Sequence, residues 1–136
     1  MNTKDVGTLG EHIAILELLR HDISVSRPLG DNKQYDLILD IKGFLLRCQV
    51  KSKTTATEDK VEFSLHTTNR SGDRVRYSEV DCYCLVDVTN NRVFLVDHDD
   101  SKVSIILRYK IPECRNKSQI KMAEDFTIPN FINSLP

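Results

Sequence analysis

The sequence predicts a mixed α/β (α+β) chain, with one N-terminal helix set against a mixed or antiparallel sheet. Three observations carry this. Apolar residues recur at helical spacing up to Arg20, with Leu9, Ile13, Ala14, Ile15, Leu16, Leu18 and Leu19 forming a broad surface. The middle of the chain is a series of short β-rich runs broken by Gly, Asn and Asp. A second helical pattern appears only near the C-terminus, so helices and strands do not alternate along the chain.

The elements follow in order. A helix starts at Thr3 or Lys4 and ends near Arg20, with Asp5 placed to suit the positive end of its dipole. A short strand at Ile23–Ser26 leads to a loop bracketed by Pro28 and Gly30. Tyr35–Ile41 and Phe44–Lys51 then form a hairpin around Lys42-Gly43. Val61–His66 alternates as a half-buried strand, and Thr67–Arg76 reads as a polar loop. Cys82–Val88 and Arg92–Val96 make a second hairpin through Thr89-Asn90-Asn91. Val103–Leu107 fits either a strand or a short helix. Arg108–Ser118 reads as a surface loop, and Phe126–Leu135 as a short helix beginning near Pro129.

Composition bounds the possibilities. A chain of 136 residues, 40% hydrophobic and 29% charged with only 5 Gly and 4 Pro, predicts one folded domain over 1–136 rather than a disordered chain. No apolar run approaches the ~20 residues of a membrane span, and Met1–Asp5 lacks the apolar core of a signal peptide. The expected setting is therefore intracellular, in the cytoplasm or an organelle matrix, without membrane association. Cys48, Cys82 and Cys84 sit in apolar runs, Cys114 lies near a Pro, and no Cys-x-x-Cys pair occurs, which favours buried reduced thiols over zinc.

The first hairpin carries the chemistry. With a two-residue turn, Ile41 faces Phe44 and Asp36 falls opposite Gln49; Lys51, two residues on, shares that face. Asp36, Asp40, Arg47, Gln49 and Lys51 then line one face. Tyr35, Leu37, Leu39, Ile41, Phe44, Leu46, Cys48 and Val50 line the other. A carboxylate, an amide oxygen and an ammonium suit phosphodiester hydrolysis. Asp36, the Gln49 side-chain carbonyl and the Val50 backbone carbonyl offer oxygens to a hard divalent cation, and Lys51 offers charge to phosphate or a hold on the attacking water. A one-sided sheet alternates polar and apolar positions for solvation alone, so the pattern also fits a wet face.

Glu11 is the fourth member. At ~100° per residue it shares a helix face with Ile15, Leu18 and Leu19, while Gly10, Glu17 and Arg20 lie opposite. A carboxylate inside a buried stripe needs a partner or a metal. The alternative is that Leu9-Ile13-Leu16 is the buried stripe and Glu11 stands at its rim.

Gly10-Glu11 on an N-terminal helix, then Tyr35-Asp36, then Gln49-Val50-Lys51, resembles the PD-(D/E)XK nuclease superfamily. Within it the likeness is to the group that includes group I intron homing endonucleases with a Gln-x-Lys half-motif. Arg76-Tyr77, Val80-Asp81, Leu107-Arg108, Asn116-Lys117 and Met122–Asp125 extend the likeness over most of the chain. The resemblance implies a restriction-endonuclease-like core with a catalytic β-hairpin. It implies cleavage of double-stranded DNA with Mg²⁺, Mn²⁺ being able to stand in, and leaving 5′-phosphate and 3′-hydroxyl ends. Glu11, Asp36, Gln49 and Lys51 would be its catalytic residues. Tyr35 replaces the name-giving Pro, which carries no chemistry, whereas Gln49 replaces an acid.

For DNA contacts, Lys53 extends the polar hairpin face, and Arg70, Arg74, Arg76 and Tyr77 form a basic segment with an aromatic tip. Lys102, Arg108, Lys110, Arg115, Lys117 and Lys121 stand against Glu113 alone, although the net charge is −1. The Asp97-His98-Asp99-Asp100 run reads as a solvated turn rather than a metal site. A long DNA target implies a homodimer or homotetramer, since one small domain spans little duplex. Two rivals stand beside homing: a structure-specific nuclease of the Holliday junction resolvase kind, and a DNA-binding module without catalysis.

Overall fold

The computed structural model describes residues 1–55, 57–113 and 119–136. Helix α1 spans Thr3–Arg20. The Asn2 side chain caps it by accepting from the Asp5 amide at 2.9 Å, and Asp5 and Arg20 complement its dipole. The helix buries neither of the two stripes offered by the sequence. Its buried residues are Gly10, Ala14 and Leu18, four apart, while Leu9, Leu16 and Leu19 are exposed. Gly10 thus faces the sheet, a correction to its expected position on the opposite side. The physical reason is proximity: small residues let the helix axis approach the strand that carries Ser52, and a Cβ on Gly10 would overlap the Ser52 hydroxyl and lie 2.5 Å from Ser52 Cβ.

Strand β1 (Ser24–Ser26) pairs antiparallel with β2 (Leu37–Ile41), and β2 with β3 (Phe44–Lys53). Lys42 and Gly43 both take positive φ, 54° and 84°, as a tight two-residue hairpin turn needs. The register runs from Ile41↔Phe44 to Leu37↔Cys48, which matches the count made outward from the turn. Beyond the hairpin, β3 pairs in parallel with β7 (Cys82–Asp87), and β7 pairs antiparallel with β8 (Arg92–Asp97). The result is a mixed five-stranded sheet ordered β1-β2-β3-β7-β8.

Strand β7 is buried at every residue because both sheet faces are covered. On one side α1 packs Ala14 and Leu18 with Leu37, Cys48, Cys84 and Val86. On the other, Tyr83 and Leu85 meet Phe63 and Leu107 from β4 (Lys60–Ser64) and β9 (Ser104–Arg108), which form a two-stranded antiparallel sheet. Cys48, Cys82 and Cys84 are free, buried thiols. A hydrogen bond with Cys82, helped by burial, holds the Cys48 thiol well above its usual range, and burial does the same for Cys84.

Of the two readings open for Val103–Leu107 the strand holds, as β9, and one further segment differs from expectation. The Val61–His66 run breaks at Leu65, and His66–Thr68 starts a new strand, β5, paired with β6 (Arg74–Arg76) inside the expected polar loop. The Asn69 side chain closes that hairpin by accepting from the Ser71 and Asp73 amides, each at 2.9 Å. A 3-10 turn, Ala123–Phe126, precedes α2 (Ile128–Ser134), whose N-terminus Thr127 caps. No helix of the described residues is long and apolar enough to cross a membrane.

Gly10→Ala tests the close approach. Alanine is the better helix former by roughly 1 kcal/mol, yet urea unfolding should show a net loss of about 1–3 kcal/mol from overpacking against Ser52. An unchanged or raised stability would mean that the helix has room to retreat.

Candidate active site

The site forms where β3 outruns β2. Strand β2 starts at Leu37, so from Gln49 onward β3 has β7 on one side and no antiparallel strand on the other. The Val50 amide would be left without a partner there. Asp36, directly before β2, supplies one: its Oδ2 accepts from Val50 N–H at 3.0 Å. The same carboxyl lines a cleft of about 380 Å³ together with Glu11, Gln49, Val50 and Lys51, closed on one side by the first turns of α1. Four side chains and one backbone carbonyl predicted from the sequence are therefore neighbours.

Each is held differently. Glu11, half-buried on α1, pairs with Arg27 at 3.0 Å. Arg27, in the loop after β1, was not anticipated; as a lone cation beside Pro28 it gave no periodic signal. Burial raises the Asp36 carboxyl above its ordinary range, and the Glu11 carboxylate adds to this. The Val50 hydrogen bond and the charges of Lys51 and Arg27 oppose it. Gln49 directs Nε2 at the Val50 carbonyl at 3.5 Å, so offering its oxygen requires the amide to turn over. Lys51 Nζ donates to Tyr77 Oη at 2.7 Å and to the His66 carbonyl at 3.1 Å.

Tyr77 is thus buried, with only 5% of its surface exposed, and its hydroxyl serves Lys51. Its expected place on the DNA-facing surface is corrected: the ring belongs to the second core, against Tyr83. Arg47, also on the polar face of the hairpin, is a structural residue. It grips Asp81 through Nε and Nη2, both at 3.1 Å, tying β3 to the start of β7, and that hydrogen bonding holds the Asp81 carboxyl below its usual range.

The basic residues separate. Lys53 and Arg74 line a groove of about 580 Å³ with Lys60, Glu62, Ser64 and His66. Lys53 directly follows Ser52, which lines the cleft, and His66 of the groove accepts from Lys51 through its carbonyl. Arg76 bonds the Asp100 carbonyl, Lys110 pairs with Asp59 at 3.5 Å, and Arg108 lines a separate pocket with Glu17 and Arg92. These three do not border either the cleft or the groove. Arg115 and Lys117 lie outside the described residues. Among the described residues no three His, Cys, Asp or Glu side chains gather as a metal site, the Asp97–Asp100 run included; there His98 bonds Asp100 and the Tyr83 hydroxyl.

The mixed α/β fold places this polar cleft beside the end of its central hairpin, and comparison with known proteins gives the class. A family model described as "PD-(D/E)XK endonuclease" matches residues 1–129. The chain belongs to that family, and so is an endonuclease, a hydrolase of phosphodiester bonds. Among solved structures it is similar to the bacterial homing endonuclease I-Ssp6803I, at a TM-score of 0.62 and 24% identity, over 84% of this chain and 80% of that one. That likeness supports the restriction-endonuclease-like fold. No curated protein matches.

Nucleases of this family generally use a divalent metal. The donor set fits a hard cation in kind: Glu11 and Asp36 bring carboxylate oxygens, Val50 a backbone carbonyl, and Gln49 an amide oxygen once its amide turns over. It holds two carboxylates, so water and neutral oxygens would complete any shell.

Asp36→Asn separates function from stability. A carboxyl whose folded pKa lies above its unfolded value favours folding only below those values, and that contribution is lost as pH rises through the folded pKa. At neutral pH and without divalent ions Asp36 therefore opposes folding. The amide variant should melt at or above the wild-type temperature at pH 7, with the gap closing as pH falls through the carboxylate range. A lower melting temperature at neutral pH would show that the Val50 hydrogen bond needs the charge.

Proposed function

We propose that this chain is a sequence-specific endonuclease of double-stranded DNA that depends on a divalent metal and serves intron homing. The observation that carries this is the meeting of Glu11, Asp36, Gln49 and Lys51 in one cleft. Asp36, Gln49 and the Val50 carbonyl are the groups that would hold Mg²⁺ or Mn²⁺. The ion, when bound, would acidify a water and offset charge on the phosphate. Lys51 lines the cleft, and its ammonium would stabilise charge developing on phosphate oxygens or orient the attacking water. Glu11, restrained by Arg27, adds a second carboxylate that can order water around the cation.

In this reading the DNA backbone passes over Lys53, Arg74 and Lys60, the last a residue that sequence reasoning did not select. The active unit is a homodimer or homotetramer, which lets one small domain address a long site, and it works inside the cell. A second reading rests on Gln49: with an amide in place of an acid, the fold serves as a DNA-binding module without cleavage.

Plasmid and linear DNA cleavage in Mg²⁺ tests the enzyme. Lys51→Ala and Asp36→Ala should each lower the rate by about 10²-fold or more. Absence of metal-dependent cutting, or cutting that survives both substitutions, would leave only the binding module. The groove has its own test in metal-free DNA binding. Replacing Lys53, Lys60 or Arg74 by Ala should each flatten the plot of log affinity against log salt by about 0.9 for every phosphate that the side chain neutralises. Arg108→Ala should leave it unchanged, and equal effects at Arg108 would remove the groove from the DNA path.

A further inference from the structure

We infer that Tyr77 is a positioning residue that aims the Lys51 ammonium for the cleavage step, an inference that rests on the nuclease reading of Lys51. Lysine has a flexible four-carbon stem and three N–H donors, so an exposed ammonium has no fixed direction. Here the direction is set. Lys51 lies in the β3–β7 ladder opposite Leu85, which fixes its backbone. Its Nζ gives one donor to Tyr77 Oη at 2.7 Å and one to the His66 carbonyl at 3.1 Å, and it stands 4.8 Å from the centre of the Tyr77 ring. The third donor has no partner among the described residues.

Tyr77 is itself immobilised. Its ring is buried edge-on against Tyr83, with centroids 6.0 Å apart. The Tyr83 hydroxyl in turn meets His98 Nδ1 at 2.9 Å. Both tethers on Lys51 come from the ends of one hairpin: His66 opens β5, and Tyr77 directly follows β6. Arg74 of that hairpin lines the groove, so the arm that touches the proposed DNA path also holds the ammonium.

Tyr77→Phe removes the hydroxyl and keeps the ring, its packing and its cation–π contact. In Mg²⁺-dependent cleavage its kcat should fall about 10- to 100-fold, as expected for a misplaced reacting group, with KM and melting temperature near wild type. Loss of stability in step with activity, or an unchanged kcat, would overturn the inference. A second measurement does not need turnover. In ¹H–¹⁵N spectra of the lysine ammonium groups, Lys51, assigned through Lys51→Arg, should give a signal protected from exchange that disappears in Tyr77→Phe. Persistence of that signal would refute the tether. A protein that never cleaves, yet loses the signal in the variant, would refute the nuclease reading and leave the tether standing.

Discussion

The arrangement depends on how closely α1 approaches β3. Gly10 has no Cβ because the Ser52 side chain occupies the space where one would sit. This contact sets the height of the helix above the sheet, and the adjacent residue, Glu11, is thereby brought to the wall of the cleft that Asp36 lines. A larger residue at position 10 would lift the helix at the point where the site is assembled. Ala14 and Leu18 continue the same seam, so the contact that buries the helix also delivers its carboxylate.

The cleft draws on both faces of the sheet. Val50 packs into the core beneath α1, whereas Lys51 reaches across to Tyr77 in the other core. Two consecutive residues of one strand can serve both sides because successive side chains alternate. The absence of β2 beyond Leu37 leaves room for Asp36 to take over the Val50 amide. One carboxylate oxygen thus acts as a substitute ladder bond while the group still faces the cleft. The burial that raises the Asp36 carboxyl is a consequence of this double duty.

What was legible in the sequence was local. The Lys42-Gly43 turn fixes a register by counting, so the pairing from Ile41↔Phe44 out to Leu37↔Cys48, next to Asp36 and Gln49, needed no tertiary information. The extent of α1 followed from its apolar spacing, but not its buried face. Large side chains suggested the wrong stripe, since close packing selected the small residues Gly10 and Ala14. The parallel pairing of β3 with β7 joins segments separated by a long stretch of chain, and no turn encodes it. Arg27, Lys60 and the role of Tyr77 were hidden for the same reason: each meets its neighbours only after distant strands come together. Arg108 and Lys110 show the converse, a run of like charge in sequence whose members line neither the cleft nor the groove.

The Arg27–Glu11 ion pair offsets one of the two carboxylates that the cleft brings together. Lys4 and Lys51 line the cleft beside Glu11 and Asp36, so even with Asp36 ionised the carboxylates do not outnumber the cations around them. A divalent cation arriving alone adds to an excess of positive charge, which a phosphate arriving with it offsets. Each ligand therefore improves the site for the other, and by linkage the coupling is the same in both directions. On the proposed function, the cleft would fill with metal chiefly when DNA is already in place, which confines hydrolytic competence to the substrate-bound protein.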